Sequence, residues 1–170
     1  MSSYVVPTPW KLLKVWGVGG LFQVGYAEDS DLLLVLSSDG LGVFDCITGE
    51  KIARDLSYAY DYFDSIKLTA KGFGPLAEQT IRMAGLYGGG LPLFTKDGWG
   101  LELKANRWPH HDIYLRFPWQ MDIPYQQQPE PTLIGNDEPC ELRAFGFSET
   151  GKSFIIASSC EVQIFTRQSN

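Results

Sequence analysis

Residues Leu21 to Phe44 read LFQVGYAEDSDLLLVLSSDGLGVF, and residues Leu142 to Phe165 read LRAFGFSETGKSFIIASSCEVQIF. A shift of 121 positions aligns the two without a gap. Leu21, Gly25, Glu28, Ser37, Ser38 and Phe44 then fall on Leu142, Gly146, Glu149, Ser158, Ser159 and Phe165. Leu32 to Val35 meets Ser153 to Ile156, so one apolar run lies on another. Leu21 to Gly25 predicts a short strand, Glu28 to Asp31 a polar turn, and Leu32 to Leu36 a strand buried on both faces. Ser37-Ser38-Asp39-Gly40 predicts a hairpin in which Asp-Gly supplies the positive φ of a type I′ turn. Leu41 to Cys46 returns, Ile47 to Glu50 turns again, and Lys51 to Asp55 adds a further strand.

Outside this repeat the chain continues in the same idiom. Tyr4 to Trp16 contains Pro7 and Pro9, which permit an edge strand or an extended arm rather than a helix. The strand around Lys11 to Trp16 is placed to complete the sheet left short after Phe165. Asp97-Gly98-Trp99-Gly100-Leu101 resembles Asp39-Gly40-Leu41-Gly42-Val43 and predicts a third, more divergent hairpin. Repeat-like units are thus expected at about 16–55, 76–117 and 140–167, within one domain spanning 1–170. Leu76 to Met83 fits two helical turns, although Thr80 to Leu86 also reads as strand. Asp112 to Phe117 predicts a strand. Gln120 to Pro139 is rich in Pro and Gln and predicts an exposed loop of about twenty residues.

Short antiparallel strands with frequent turns predict an all-β fold with at most one short helix. The phrase of polar turn, apolar strand, Ser-Ser-Asp-Gly, strand, then Thr48-Gly49-Glu50-Lys51 resembles a propeller blade of the WD-repeat or quinoprotein type. The resemblance covers Phe22 to Arg54 and, in part, Arg143 to Arg167. The Gly-His and Trp-Asp dipeptides of WD repeats are missing. It implies repeated antiparallel meanders arranged in a propeller-like or sandwich-like way.

Composition narrows function. The 170 residues carry a net charge of −6, with 14% aromatics and 20% charged residues. An acidic surface argues against nucleic acid and anionic membrane as partners, which reward Lys and Arg. Met1 to Pro9 has no leader-like pattern, and no apolar run approaches the roughly 20 residues that span a bilayer. A cytoplasmic location is the expectation. Cys46, Cys140 and Cys160 show no CxxC or Cys/His spacing, so free thiols are expected there, with a Cys140–Cys160 pair in an exported protein.

No catalytic, metal or cofactor site emerges. His110 and His111 are adjacent, and neighbours on a strand point to opposite faces, which disfavours one shared ion. No serine sits in a GxSxG elbow. The glycines at 17–20 and 85–90 lack the spacing that cradles phosphate. What remains is a set of aromatic and acidic side chains suited to a protein surface. Asp55, Tyr58, Tyr60, Asp61, Tyr62 and Asp64 form one candidate patch. Trp108, Trp119 and Tyr125, with Trp99, form a second aromatic series suited to a peptide or sugar groove, or to packing.

These features predict a non-enzymatic protein-binding module. Small, acidic and all-β, it is similar in general character to the bacterial immunity proteins that neutralise polymorphic toxins. That resemblance implies a basic toxin domain as partner, covered sterically and steered electrostatically. A small-ligand binder or enzyme using a pocket in the sheet array is a second reading. A scaffold subunit of a homo-oligomer is a third.

Overall fold

The computed structural model describes residues 4–168. Its described residues form antiparallel sheets, with helix limited to three single 3-10 turns. Sheet I holds β2 (Leu21–Tyr26), β3 (Leu32–Ser37), β4 (Gly40–Asp45) and β5 (Glu50–Asp55) as a meander. Sheet II is β6 (Phe63–Asp64), β7 (Thr69–Lys71) and β8 (Thr80–Arg82). A two-residue strand, β9 (Ala84–Gly85), then pairs with β2 on the other edge of sheet I. Sheet III is β10 (Gly100–Arg107), β11 (His110–Arg116) and β12 (Thr132–Asn136). Sheet IV is β13 (Leu142–Phe147), β14 (Ser153–Ser158) and β15 (Glu161–Arg167), completed by β1 (Trp10–Gly17). The N-terminal strand therefore closes the last sheet, antiparallel to β15 from Trp10↔Arg167 to Gly17↔Glu161.

The repeat seen in the sequence is a repeat of hydrogen bonds. Strands β2, β3 and β4 match β13, β14 and β15 position for position. The ladder slips between Leu21 and Gln23 in one copy and between Leu142 and Ala144 in the other. The Ser37 hydroxyl accepts the Asp39 N–H, and the Ser158 hydroxyl accepts the Cys160 N–H. Ser38 N–H donates to Gly20 O, and Ser159 N–H donates to Glu141 O. The two copies also meet. The Asp31 carboxylate accepts hydroxyls from Ser148, Thr150 and Ser153 at 2.7, 2.8 and 2.6 Å.

Apolar packing sets the order of the sheets. One core cluster joins sheets I and IV through Val24, Val35, Phe44, Ile155 and Ile164. A second joins I and II through Phe22, Leu34, Val43, Ile81 and Met83. A third joins IV and III through Trp10, Phe154, Phe165, Leu101 and Ile113. The stack thus runs II–I–IV–III, with no core cluster between II and III among the described residues. Strands β2 and β3 face apolar neighbours on both sides, which is why they read as continuous apolar runs. Each large side chain fully buried this way contributes about 1.5–3 kcal/mol of transfer free energy.

A segment from Ala84 to Thr95 crosses from sheet II to sheet III over the free edges of β2 and β13. Leu86 N–H donates to Phe22 O at 2.8 Å, and Phe147 N–H donates to Pro92 O at 2.7 Å. Close neighbours require glycine at Gly25 and at its counterpart Gly146. A Cβ at Gly25 would run into the Arg82 carbonyl oxygen at the end of β8, and one at Gly146 into the Leu91 side chain of the crossing segment. The glycine shared by the two repeat copies is therefore a place where another stretch of chain passes close by.

Several expectations are corrected. The β3–β4 turn is not type I′: Ser38 and Asp39 keep negative φ, and Gly40, at +120°, is already paired with Ser37. Glycine there accommodates the Asp55 carbonyl and the Leu56 backbone, which would meet any Cβ. Asp97-Gly98 does not turn between two long strands. It links the isolated bridge residue Phe94 to Gly100 at the start of β10. Residues 76–117 supply strands to sheets II, I and III. The two helical turns over Leu76 to Met83 are replaced by a 3-10 turn, Gly74–Leu76, followed by β8. The long loop from Gln120 contains β12, recruited by pairing with β11 and by burial of Ile134.

The thiol expectation changes too. Cys140 and Cys160 form a disulfide, and Cys46 is a buried free thiol. The Ser159-to-Glu141 hydrogen bond brings their backbones together, with the two Cα atoms 6.1 Å apart. Closing this loop of 20 residues restricts the unfolded chain by about 3 kcal/mol on the entropic account.

Candidate functional site

The first candidate patch assembles around Phe22. The ladder slip in β2 turns this ring toward sheet II, where it is buried. Tyr60 stacks on it, with ring centroids 4.3 Å apart and planes 5° from parallel. Tyr60 is carried by the 3-10 turn Ala59–Tyr62, anchored by buried Ala59. Tyr58 packs beside Tyr60 at 5.3 Å. Tyr87 completes the cluster, edge-on to Tyr60 at 6.2 Å and against Phe63 at 5.6 Å.

Tyr87 was not evident from the sequence. It sits in a tight turn closed by reciprocal Gly85–Gly88 bonds, and its N–H donates to Gln23 Oε1 at 2.9 Å. A signal was present: Leu86-Tyr87 is a bulky apolar pair held between glycines, where exposure is enforced. Leu56, Tyr58, Leu86, Tyr87 and Tyr60 are 74%, 64%, 51%, 47% and 37% exposed, so the cluster presents apolar surface outward.

Electrostatics frames the rings. The Tyr60 and Tyr87 hydroxyls share a hydrogen bond at 3.4 Å. That bond, followed by partial desolvation, pushes the Tyr60 phenol up to about 12, so it stays neutral at physiological pH. Arg143 lies nearby, bonded to Leu21 O and paired with Glu141 at 3.0 Å. Asp55 and Asp64 act mainly as turn formers. Asp55 Oδ1 accepts the Ser57 N–H at 2.7 Å, and Asp64 Oδ1 accepts those of Ile66 and Lys67 at 3.0 Å. Hydrogen bonds from Ser57 lower the Asp55 carboxyl, and those from Lys67 and Ile66 outweigh desolvation at Asp64. Both therefore remain charged beside the patch. Asp61 is exposed, whereas Tyr62 is half-buried and packs against the core between sheets I and II.

The second aromatic series does not come together. Trp108 is exposed at the tip between β10 and β11, whereas Trp119 and Tyr125 follow the far end of β11. Seven residues of strand separate those ends by about 20 Å. Trp119 and Tyr125 do pair, at 6.0 Å, on a loop organised by Gln128. Trp99 is core, packed on Trp10 and Phe117.

The histidines behave differently from the expectation of opposite faces. Both reach Asp137, His111 at 3.2 Å and His110 at 3.4 Å. They sit at the irregular end of the β10–β11 ladder, where alternation breaks down. Burial alone would raise the Asp137 carboxyl, but hydrogen bonds from His111 bring it below its ordinary value. Arg107 bridges Asp112 and Glu138 in the same network. Among the described residues no group of His, Cys, Asp and Glu is arranged to hold a metal ion.

The sequence matches no protein-family model and no curated protein. No helix of the described residues is long and apolar enough to cross a membrane.

Proposed function

We propose that this protein is a non-enzymatic binding module that engages another protein through the tyrosine patch of sheets I and II. One observation carries the reading. Tyr58, Tyr60 and Tyr87 form a connected set of exposed rings on a buried Phe22 base, and Leu56 and Leu86, close to Tyr58 and Tyr87 in sequence, are exposed as well. Stacked tyrosines lose little side-chain entropy on binding and offer both area and a hydroxyl, which suits interface anchors. Scattered apolar residues are ordinary on a surface, but a joined group marks an interaction site.

The finer reading is that the partner is a basic toxin domain and that the module occludes it, in the manner of an immunity protein. The net charge of −6 supports steering of a cationic partner, and Asp55, Asp61 and Asp64 add charge beside the rings. The scaffold, in this reading, is an open relative of the blade repeats of WD-type propellers. The Cys140–Cys160 bridge favours an oxidising compartment over the cytoplasm.

The test is affinity capture from the native host with the wild-type chain and with a Tyr58→Ser/Tyr87→Ser variant of confirmed fold. A specific partner lost by at least tenfold in the variant supports the patch. Equal retention by both proteins refutes it. For the toxin reading, co-expression with the captured partner must relieve a growth defect; a harmless partner overturns that part alone.

A further inference from the structure

We infer that the cleft at the Tyr26 end of β2 binds a small organic anion, a carboxylate or phosphate carried on an apolar body. This site is separate from the tyrosine patch, which lies at the Phe22 end of the same strand. The cleft has a volume of about 370 Å³ and is bounded by sheets I, II and IV and by the crossing segment. It occupies the place where the stacked sheets present their edges to one another.

Its chemistry is specific. Lys67 and Arg82 both line it, and neither forms an ion pair among the described residues. Most other arginines of this acidic chain are paired: Arg107, Arg116, Arg143 and Arg167 each hold a carboxylate. Lys67 lies close enough to Asp64 to help keep that carboxyl low, without a direct pair. The one carboxylate lining the cleft, Glu149, already accepts the Asp29 N–H at 3.0 Å. Among the lining side chains two cations stand against one carboxylate, with Asp64 beside Lys67, in a protein of net charge −6. A lining richer in cations than the rest of the chain favours an anionic ligand there.

The floor is apolar. Leu68, Met83, Leu91 and Pro92 line it. The wall between them is Gly89-Gly90, and a Cβ at Gly89 would collide with the Met83 carbonyl oxygen. The wall there is bare backbone. An apolar pocket with a few charged groups at its rim is the usual construction of a small-molecule site. The geometry suits a ligand whose charged head meets Lys67 and Arg82 while its body lies over Met83 and Leu91.

The experiment is a titration followed by ¹H–¹⁵N correlation spectra, with phenyl phosphate, benzoate, inorganic phosphate and benzyl alcohol as probes. Phenyl phosphate or benzoate is expected to saturate with Kd below about 1 mM, in line with the efficiency of fragment-sized ligands. The shifts should map to Lys67, Leu68, Arg82, Met83 and Gly89 to Leu91. Inorganic phosphate should bind at least tenfold more weakly, as should neutral benzyl alcohol. Lys67→Gln and Arg82→Gln should each weaken the aromatic anions at least tenfold while leaving the remaining spectrum in place. The inference is overturned by non-saturating shifts, by shifts centred on Tyr60 or elsewhere, by equal affinity for benzyl alcohol, or by unchanged affinity in both variants.

Discussion

Replacing Asp31 tests whether the two repeats are held to each other by one carboxylate. Asp31 sits in the turn before β3, and its oxygens accept hydroxyls from Ser148, Thr150 and Ser153 in the matching turn of the other copy. Hydrogen bonds to a charged acceptor contribute about 1.5–3 kcal/mol each, but the sum is an overestimate here. Thr150 is exposed and can turn to water. Ser148 retains the Ser153 carbonyl at 3.3 Å, and Ser153 retains the Tyr26 hydroxyl at 3.1 Å. The net loss for Asp31→Ala is therefore about 2–4 kcal/mol, near one good charged bond plus part of another. For a domain of this size that lowers Tm by roughly 5–15 °C. Asp31→Asn keeps one carbonyl acceptor and should lose about half as much. Urea denaturation of the wild type, both variants and the Asp31→Ala/Ser148→Ala double variant measures these values and the coupling between the two positions. A change below about 0.5 kcal/mol in Asp31→Ala, or full additivity in the double variant, refutes the account.

Two further outcomes follow from other features. Gly25→Ala forces a Cβ against the Arg82 backbone at the end of β8, and Gly146→Ala forces one against Leu91 of the crossing segment, so each should cost about 3 kcal/mol or more, beyond ordinary overpacking; chemical denaturation near wild-type stability would remove the close-passage argument. Asp97 is held near 2 by its paired bonds to Arg167, below its ordinary 3.8. A carboxyl depressed on folding stabilises above its unfolded value, and that part is lost as pH falls from about 4 to about 2. Asp97 is more than half exposed, so screening limits the effect to under about 1 kcal/mol. Asp97→Asn should flatten the stability–pH curve in that window and leave its shape above pH 5 unchanged.

The legible part of the fold was the part buried on both faces. Strands such as Leu32–Ser37 and Ser153–Ser158 have apolar neighbours on either side, so burial writes itself as an uninterrupted apolar run. The duplication made the signal stronger, and it led correctly to β1 as the partner of β15. Sheets II and III were harder because their strands are short or half-exposed. In Thr132–Asn136 only Ile134 and Gly135 are buried, which gives no periodicity to read. The crossing segment left its mark only as glycines, at Gly146 and Gly89, and Gly25 records the approach of β8 in the same way; their meaning depends on what passes beside them. In the candidate site, Tyr58 and Tyr60 were legible as aromatics without an obvious core role. Tyr87 comes from a remote turn and joins them only through the Gln23 side chain and the fold of β9.

The pairing of β1 with β15 also bears on synthesis. Trp10 is buried between sheets III and IV, against Phe147 and Phe154, yet its strand leaves the ribosome long before its partner. About 150 residues must be closed into a loop before that contact forms, which favours a late step in folding. Sheet I, made of consecutive strands, can form as soon as its own residues emerge. A nascent chain stalled before β13 would therefore carry a finished first repeat with one apolar face bare and a tryptophan still in water. That intermediate is the form a chaperone would meet, and Trp10 fluorescence reports the moment it disappears.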